Sequence, residues 1–291
     1  MIKHRLKIKT NAADTILLID GKYLVYRTQY SKNVSNLSYK GAKTGLYYGF
    51  FNTVRSLISK FYPVNVLFMW DGVGSVRRNE FSGYKIRDKT YLSEEQQMII
   101  SDIDAEYPYL VAVCASLGLQ GYVMDGYEAD DLLAMFTKKF KEVNKIIISK
   151  DEDLYQLIDE TTIMYDPDNK VKKDMNWFIK KYDITPEEWK LVKAYGGCKS
   201  DTVPGIPGVA EKTAIKIIKK DPMALKKLDN ANMDEVKLWQ RLTSLPHPDL
   251  LDVDIPYKVT HLDMGQFIEM CQKFNFRSFL EKNLSDFELL Q

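Results

Sequence analysis

The sequence predicts an α/β protein built on a mostly parallel sheet with helices on both faces. Three short apolar runs are rich in Ile, Val and Leu and bounded by polar residues, as buried strands are: TILLID, VNVLFMWD and KIIISKDED. Helix-like segments lie between them, including GLYYGFFNTVRSLISKF and EADDLLAMFTKKFKEV. Because parallel strands need crossover connections, which are usually helices, this alternation predicts the parallel sheet.

Acidic residues stand where the predicted strands end. Asp20 and Asp71 close the first two runs, and Asp151 and Asp153 follow the third. A fourth short strand candidate, GLQGYVM, precedes the acidic helix start EADD. Since ligands of open α/β sheets bind outside the carboxyl ends of the strands, we expect these four loops to bring their carboxylates together.

Two explanations are available for this acidic edge. One aspartate after a strand is ordinary turn chemistry, and acids suit the positive end of a helix dipole. Four acidic loops at one edge, however, would repel one another across a small space. Bound cations that hold the carboxylates together are therefore the simpler explanation.

The composition narrows the classes of function. The 291 residues are 45% hydrophobic and 28% charged, as in a globular protein with one large domain or two intimate ones. No apolar run approaches the ~20 residues of a membrane span. Three widely spaced cysteines argue against a disulfide framework and suit a reducing cytoplasm. Only three histidines occur, none near an acidic cluster, which disfavours a histidine base or a His-rich zinc site.

The formal net charge is only +1, but the acidic and basic residues are expected to be distributed unevenly over the protein. Eight acidic residues are candidates for one cation-binding site: Asp20, Asp71, Glu128, Asp130, Asp131, Asp151, Asp153 and Asp201. Setting these eight aside leaves 32 of the 40 acidic residues against 41 lysines and arginines, a basic surface that suits a polyanion held over metal ions. Oxygen ligands favour Mg²⁺ or Mn²⁺, and two such ions about 4 Å apart can clamp a scissile phosphate. A structural calcium site is the alternative, although the calcium-binding loop motif is missing.

Two further segments carry weaker signals. Residues 75–108 are charged and bear tyrosines without a long apolar run, which fits either a plain surface insertion or a functional excursion. In VPGIPGVAEKTAIKII, Gly205 and Gly208 allow a tight turn before a helix start. Such a turn can point backbone N–H groups at a phosphate, although alone it is more often only a turn.

Six motifs occur in the order found in the 5′-nuclease family: LLIDGKYLVYR, FMWDG, GYKIRDK, GYEADDLLA, SKDEDLYQL and SDTVPGIPGVAEKTA. From about residue 16 to 220 the chain therefore resembles this family, which comprises the 5′→3′ exonuclease domain of bacterial DNA polymerase I, bacteriophage 5′-exonucleases and flap endonucleases. The resemblance implies a PIN-like nuclease core, a helical arch and a C-terminal helical region with a helix-hairpin-helix. The expected divisions are a basic arm at 1–15, the core at 16–182 with the arch at about 75–108, and a helical DNA-binding region at 183–291 with the helix-hairpin-helix at about 190–220.

The resemblance also implies residue roles. The eight acids would be direct or water-mediated metal ligands, with Asp71 and Asp130 central to catalysis. Lys85 would stand at the base of the arch and neutralise charge that develops on the phosphate. The residues expected to contact DNA are Arg77, Tyr84, Lys85, Arg87, Lys89, Gly205, Gly208, Lys212, Thr213 and Lys216. In the family, the hairpin often binds K⁺.

Three positions depart from the family pattern. Cys198 stands where the family has an aspartate, and a neutral thiol is a poor Mg²⁺ ligand. We therefore expect two ions with a weakened second site and a preference for Mn²⁺, unless Asp201 and neighbouring acids suffice. Asp88 replaces an arginine, and Ala210 replaces a hairpin glycine, which preserves duplex binding if its φ is negative.

The expected function is metal-dependent hydrolysis of DNA near 5′ ends, flaps or nicks, in the cytoplasm of a bacterial or phage-infected cell. We expect a monomer that binds DNA with a single-stranded 5′ arm, with a replicative polymerase as a candidate partner and no membrane association. Two alternatives stay open: a branched-DNA-binding relative that cleaves poorly because of Cys198, and a metal-dependent phosphatase. Against the phosphatase, Asp20 lacks the second acid two residues later that such enzymes commonly show.

Overall fold

The computed structural model describes residues 14–86 and 92–290. Its strands are β1 Thr15–Asp20, β2 Ser38–Tyr39, β3 Ala42–Lys43, β4 Asn65–Met69, β5 Gln120–Tyr122, β6 Asn144–Ile148, β7 Thr162–Asp166 and β8 Val171–Lys173. Six of them form one sheet in the order β5-β4-β1-β6-β7-β8, while β2 and β3 form a separate hairpin. All neighbours in the large sheet pair in parallel except β8, which is antiparallel to β7. The predicted α/β fold with a mostly parallel sheet is confirmed.

The helices cover both faces of this sheet. They are α1 Gly21–Gln29, α2 Lys32–Ser35, α3 Gly45–Phe61, α4 Val76–Glu80, α5 Glu94–Ser116, α6 Ala129–Lys139, α7 Met175–Tyr182, α8 Trp189–Gly196, α9 Glu211–Ile218, α10 Pro222–Leu225, α11 Met233–Thr243 and α12 Met264–Lys273. Helices α1, α3, α5 and α12 contribute to the core on one face, and α6 to α9 with α11 contribute to the core on the other. No helix within the described ranges is long and apolar enough to cross a membrane.

Strand β1 shows why its sequence lacks polar alternation. Leu17, Leu18 and Ile19 are all fully buried. Because successive side chains of a strand point to opposite faces, Leu18 joins the core beneath α6, whereas Leu17 and Ile19 join the core beneath α3. A strand covered on both faces needs an unbroken apolar run, and the sequence supplies one.

Several boundaries differ from the sequence-based expectation. Strands β7 and β8 are not predicted, because β8 is short and largely exposed and β7 lies among charged residues. Helix α5 continues through Pro108 to Ser116, past the expected end of the arch, because its C-terminal half packs into the core through Leu110 and Cys114. The predicted arm at 1–15 lies outside the described residues except for its last two positions.

The C-terminal segment returns to the nuclease core. Phe267 of α12 packs against Phe51 of α3 with ring centroids 5.6 Å apart, and Phe279 stacks on Tyr48 at 5.1 Å. The expected division at 183–291 stays a prediction. Within it, α12 and the residues that follow complete the core on the α3 face.

Phe267→Ala is expected to lower the free energy of unfolding by about 3–5 kcal/mol, because the ring is fully buried among aromatic neighbours. Urea unfolding followed by circular dichroism would measure the change. Met223→Ala, at an exposed position, is the control and should change stability by less than about 0.5 kcal/mol. If the C-terminal segment of the variant unfolded in a separate transition at low urea concentration and the stability of the sheet stayed the same, this packing account would be wrong.

Candidate active site

The strand ends position the first two aspartates through hydrogen bonds to neighbouring elements. Asp20 ends β1 and caps α1: its Oδ1 accepts from the Tyr23 N–H at 2.9 Å, and its Oδ2 accepts from the Ser149 hydroxyl at 3.1 Å. Asp71, two residues after β4, accepts from the Ala129 N–H at 3.0 Å. Each carboxylate therefore accepts a hydrogen bond from the segment that follows a neighbouring strand: β6 for Asp20 and β5 for Asp71.

Gly72 explains the glycine in the FMWDG motif. A Cβ at this position would lie 1.9 Å from the backbone oxygen of Met124, so the loops after β4 and β5 could not approach as they do. The Gly72 N–H also donates to the Tyr127 carbonyl at 2.9 Å. This close approach brings Asp71 beside the start of α6, where Glu128 and Asp130 lie.

Electrostatic interactions show that the acids of the four loops share one small volume. Burial raises the pKa of Asp20 to about 7, and the nearby Asp71 and Asp151 add to the rise. The pKa of Asp130 is raised well above its usual range by burial and by repulsion from Asp151 and Asp20. Burial also raises the pKa of Asp201, to about 6. At neutral pH these carboxylates cannot all carry full negative charge without added positive charge.

Two lysines supply part of that charge. Lys22 Nζ lies 2.9 Å from Asp71 Oδ2. Its charge and the hydrogen bond from the Ala129 N–H lower the pKa of Asp71 by more than burial raises it. Lys85 Nζ lies 2.9 Å from Glu128 and 3.5 Å from Asp201. The Lys85 backbone has a φ of 51°, in the left-handed region that non-glycine residues seldom adopt, and such strain concentrates at functional sites. The sequence singles out Lys85 but not Lys22.

Tyr84 has a different position from the one expected. Its side chain is buried, and its hydroxyl donates to Glu128 Oε2 at 3.0 Å. It packs in a small apolar cluster with Cys198 and Trp239. Tyr84 therefore orients a candidate metal ligand rather than presenting a surface to DNA.

Arg77 and Asp131 correct two expectations. The Arg77 guanidinium, 2% exposed, donates to both oxygens of the fully buried Asp131 at 2.6 and 2.7 Å. Its Nε and Nη2 groups also donate to the carbonyl oxygens of Leu242 and Ser244. Arg77 is thus not available to a DNA phosphate. Asp131, which also accepts from the Glu128 and His247 N–H groups, is not available to a cation.

A second acidic cluster contains Asp153, Cys198 and Asp201, with ligand atoms within 4.8 Å of one another. Cys198 Sγ lies 3.3 Å from Asp153 Oδ2 and 3.5 Å from Asp201 Oδ2. Burial and the two carboxylates raise the pKa of this thiol to about 12. Lys193 Nζ also lies 2.7 Å from Asp153 Oδ1. The sequence does not identify Lys193; its only signal is its place five residues before Cys198, on a helix that ends beside the site.

The predicted hairpin residues lie on the connection between α8 and α9. Gly205 and Gly208 have φ values of 71° and 72°, and Ala210 has a φ of −113°, so this alanine is accommodated without strain. On α9, Lys212 and Lys216 are exposed and Thr213 is half-buried. Arg87, Asp88 and Lys89 lie outside the described residues.

A family model described as "5'-3' exonuclease, N-terminal resolvase-like domain" matches residues 15–183. The chain belongs to this family. It is 28% identical over 263 residues to a 5'-3' exonuclease of Aquifex aeolicus, covering 89% of this chain and 85% of the relative. It is 27% identical over 297 residues to DNA polymerase I of Synechocystis, covering 92% of this chain but only 29% of the polymerase.

Among solved structures, a flap endonuclease of bacteriophage T5, in a pseudo-enzyme-product complex with DNA and metal ions, has a TM-score of 0.67 at 17% identity. The comparison covers 95% of this chain and 99% of the phage protein. At this level of identity the likeness concerns the fold. The recognition of the 5′-nuclease family from the six sequence motifs is confirmed.

Replacing Arg77 with methionine is expected to lower the free energy of unfolding by about 3–5 kcal/mol, because it leaves the buried Asp131 without its partner. Asp131→Asn should cost a comparable amount, because it leaves the buried Arg77 guanidinium without its counter-charge. Chemical denaturation would measure both. If either substitution left stability unchanged while abolishing cation binding, the structural role assigned to this pair would be wrong.

In the presence of chelator, the melting temperature should fall as pH rises from about 4 to about 7. The raised pKa of Asp20 and Asp201 means that the folded chain binds more protons than the unfolded chain in this range, so deprotonation destabilises the fold. Mg²⁺ should reverse the loss, most strongly near the upper end. Differential scanning calorimetry at several pH values would test this, with the exposed Asp234→Asn as control. A metal-free melting temperature that rises across this range would contradict it.

Proposed function

We propose that the protein is a divalent-metal-dependent 5′-nuclease that hydrolyses DNA phosphodiesters near 5′ ends, flaps or nicks. The observation that carries the proposal is the convergence of acidic loops at the carboxyl edge of the sheet, where burial and neighbouring carboxylates raise the pKa of both Asp20 and Asp130 close to Lys85. Membership of the 5′-3′ exonuclease family supports the same reaction.

The donor set fits a hard divalent cation, Mg²⁺ or Mn²⁺. The residues that would hold it are Asp20, Asp71, Glu128 and Asp130. All four residues offer carboxylate oxygens, and the set contains no nitrogen or sulfur ligand. A bound cation would reduce the repulsion between these carboxylates. When bound, the cation supplies Lewis-acid stabilisation of the charge that develops on the phosphate. The K⁺ expected at the Gly205 turn stays a prediction.

The chain's own residues supply the remaining chemistry. Lys85, held between Glu128 and Asp201, would direct its ammonium group at the scissile phosphate and neutralise charge there. Tyr84 would fix the orientation of Glu128 through its hydroxyl. Neither of these groups titrates as a base near neutral pH, since burial and Glu128 keep the Tyr84 pKa high and Glu128 raises the pKa of Lys85.

DNA binding is assigned to the α8–α9 connection. The turn at the exposed Gly208 would direct backbone N–H groups at phosphates, and exposed Lys212 and Lys216 would add charge. Gly205 is buried against Gly197, so it would shape this turn without contacting DNA. Thr213 on α9, and Arg87 and Lys89 in the arch, stay predicted contacts. We further propose a monomer acting in the cytoplasm of a bacterial or phage-infected cell, with a polymerase as candidate partner; the bacterial relatives support this setting.

The decisive experiment uses a 5′-flap DNA labelled at either end, incubated with Mg²⁺, with Mn²⁺ or with chelator. We expect metal-dependent cleavage near the flap junction that Asp130→Asn abolishes. Lys85→Ala should lower kcat by about 100-fold or more with little change in Kd, because its charge acts on the transition state. Lys273→Ala, at an exposed position on α12, is the control and should change neither.

Two outcomes would contradict the proposal. Cleavage that persists in chelator or in Asp130→Asn would show that the reaction does not need the metal site. Tight binding of the flap DNA without product in either metal would favour the alternative of a branched-DNA-binding protein, for which the thiol of Cys198 in the second cluster is the supporting observation.

A further inference from the structure

The second acidic cluster already carries its own positive charge. Asp153 and Lys193 form an ion pair of 2.7 Å in which both side chains are largely buried, with 13% and 16% exposure. Asp201 has Lys85 at 3.5 Å. Each of the two carboxylates of this cluster therefore has an ammonium group as a neighbour.

Cys198 occupies the space between these carboxylates as a hydrogen-bond donor. Its Sγ donates toward Asp153 at 3.3 Å and lies 2.9 Å from the Ser200 hydroxyl. A neutral thiol offers a hard divalent cation little, because Mg²⁺ and Mn²⁺ select oxygen ligands. The third position of this cluster thus contributes no negative charge.

Lys193 is held in place by its helix. It lies on α8, which ends directly before Gly197 and Cys198, and its ammonium lies 5.6 Å from the centroid of the fully buried Trp189 ring. Trp189 anchors the same helix in the core on the α6 face. The lysine is therefore a fixed part of the site and not a surface side chain that happens to reach it.

The first group of acids differs in its charge balance. Two lysines lie near this group, which consists of Asp20, Asp71, Glu128 and Asp130. Lys22 pairs with Asp71, and Lys85 pairs with Glu128 but also lies beside Asp201 of the second cluster. With Asp151, which adds to the rise in the pKa of Asp20 and Asp130, this group has five carboxylates against fewer than two ammonium groups. The net negative charge is one that a divalent cation can neutralise.

Lys22 and Lys85 are 43% and 30% exposed, so a cation at the first group can displace their ammonium groups into solvent. In the second cluster a divalent cation would have to displace the ammonium of Lys193, only 16% exposed, from its carboxylate, which is unfavourable.

We infer that Lys193 takes the place of a second divalent cation in this chain, so that the acidic edge binds one divalent ion, at Asp20, Asp71, Glu128 and Asp130. The inference rests on the proposed function for that first ion. It differs from the expectation of two ions with a weakened second site, because in this inference Lys193 and Cys198 close the second position. The positive charge expected there is supplied by the protein.

The test is Mn²⁺ binding to the full chain, measured by titration calorimetry and by electron paramagnetic resonance. Wild type should bind one Mn²⁺ and give the spectrum of an isolated ion. The double variant Lys193→Met with Cys198→Asp should bind two and give a spin-coupled spectrum, since it restores a carboxylate and removes the ammonium. Lys193→Arg, which keeps the positive charge, is the matched control and should bind one.

The outcomes separate the two proposals. Two spin-coupled ions in wild type would overturn the inference and leave the nuclease proposal intact. No bound Mn²⁺ in wild type would overturn both. One ion in a folded double variant would show that Lys193 and Cys198 are not what closes the second position; if that variant does not fold, the wild-type stoichiometry still decides.

Discussion

Carboxylates from four loops meet at one edge of the sheet, and their mutual repulsion sets the conditions for the rest of the structure. The strand order β5-β4-β1-β6 places the loop ends side by side, and the two-sided core keeps them there. Burial, together with this crowding, raises the pKa of Asp20 and Asp130. Such an arrangement is stable at neutral pH only when cations, from lysines or from solution, lie among the carboxylates.

The EADD segment has both a structural and a functional role. The Asp131 carboxylate caps α6 by accepting from the Glu128 N–H at 3.1 Å, and it is also bound by Arg77. This buried pair joins α4 to the C-terminal end of α11, because Arg77 also binds Leu242 and Ser244. Helix capping thus explains Asp131, and cation binding is proposed for Glu128 and Asp130.

The sequence predicts the central fold well because its buried strands are continuous apolar runs. Helix α3 has the predicted bounds, and β1 matches TILLID. The sequence cannot show which charged side chains are buried against each other: Arg77 and Asp131 are 54 positions apart, and nothing in their spacing reveals their pairing. The sequence does not identify Lys193 as a site residue for the same reason, because a lysine on an amphipathic helix is usually solvated. Motif spacing locates the candidate ligands, whereas the pairing of charges depends on the tertiary structure.

The ionisation of the aspartates themselves tests the central claim most directly. Carboxyl ¹³C NMR of aspartate-labelled protein, titrated with and without Mg²⁺ and assigned with Asp20→Asn and Asp130→Asn, would follow each group. We predict that without metal at least one of these two carboxyls titrates near pH 7, and that with Mg²⁺ it stays ionised through this range. If both titrate with an ordinary aspartate pKa of about 4 in the metal-free protein, crowding at this edge is not the organising constraint.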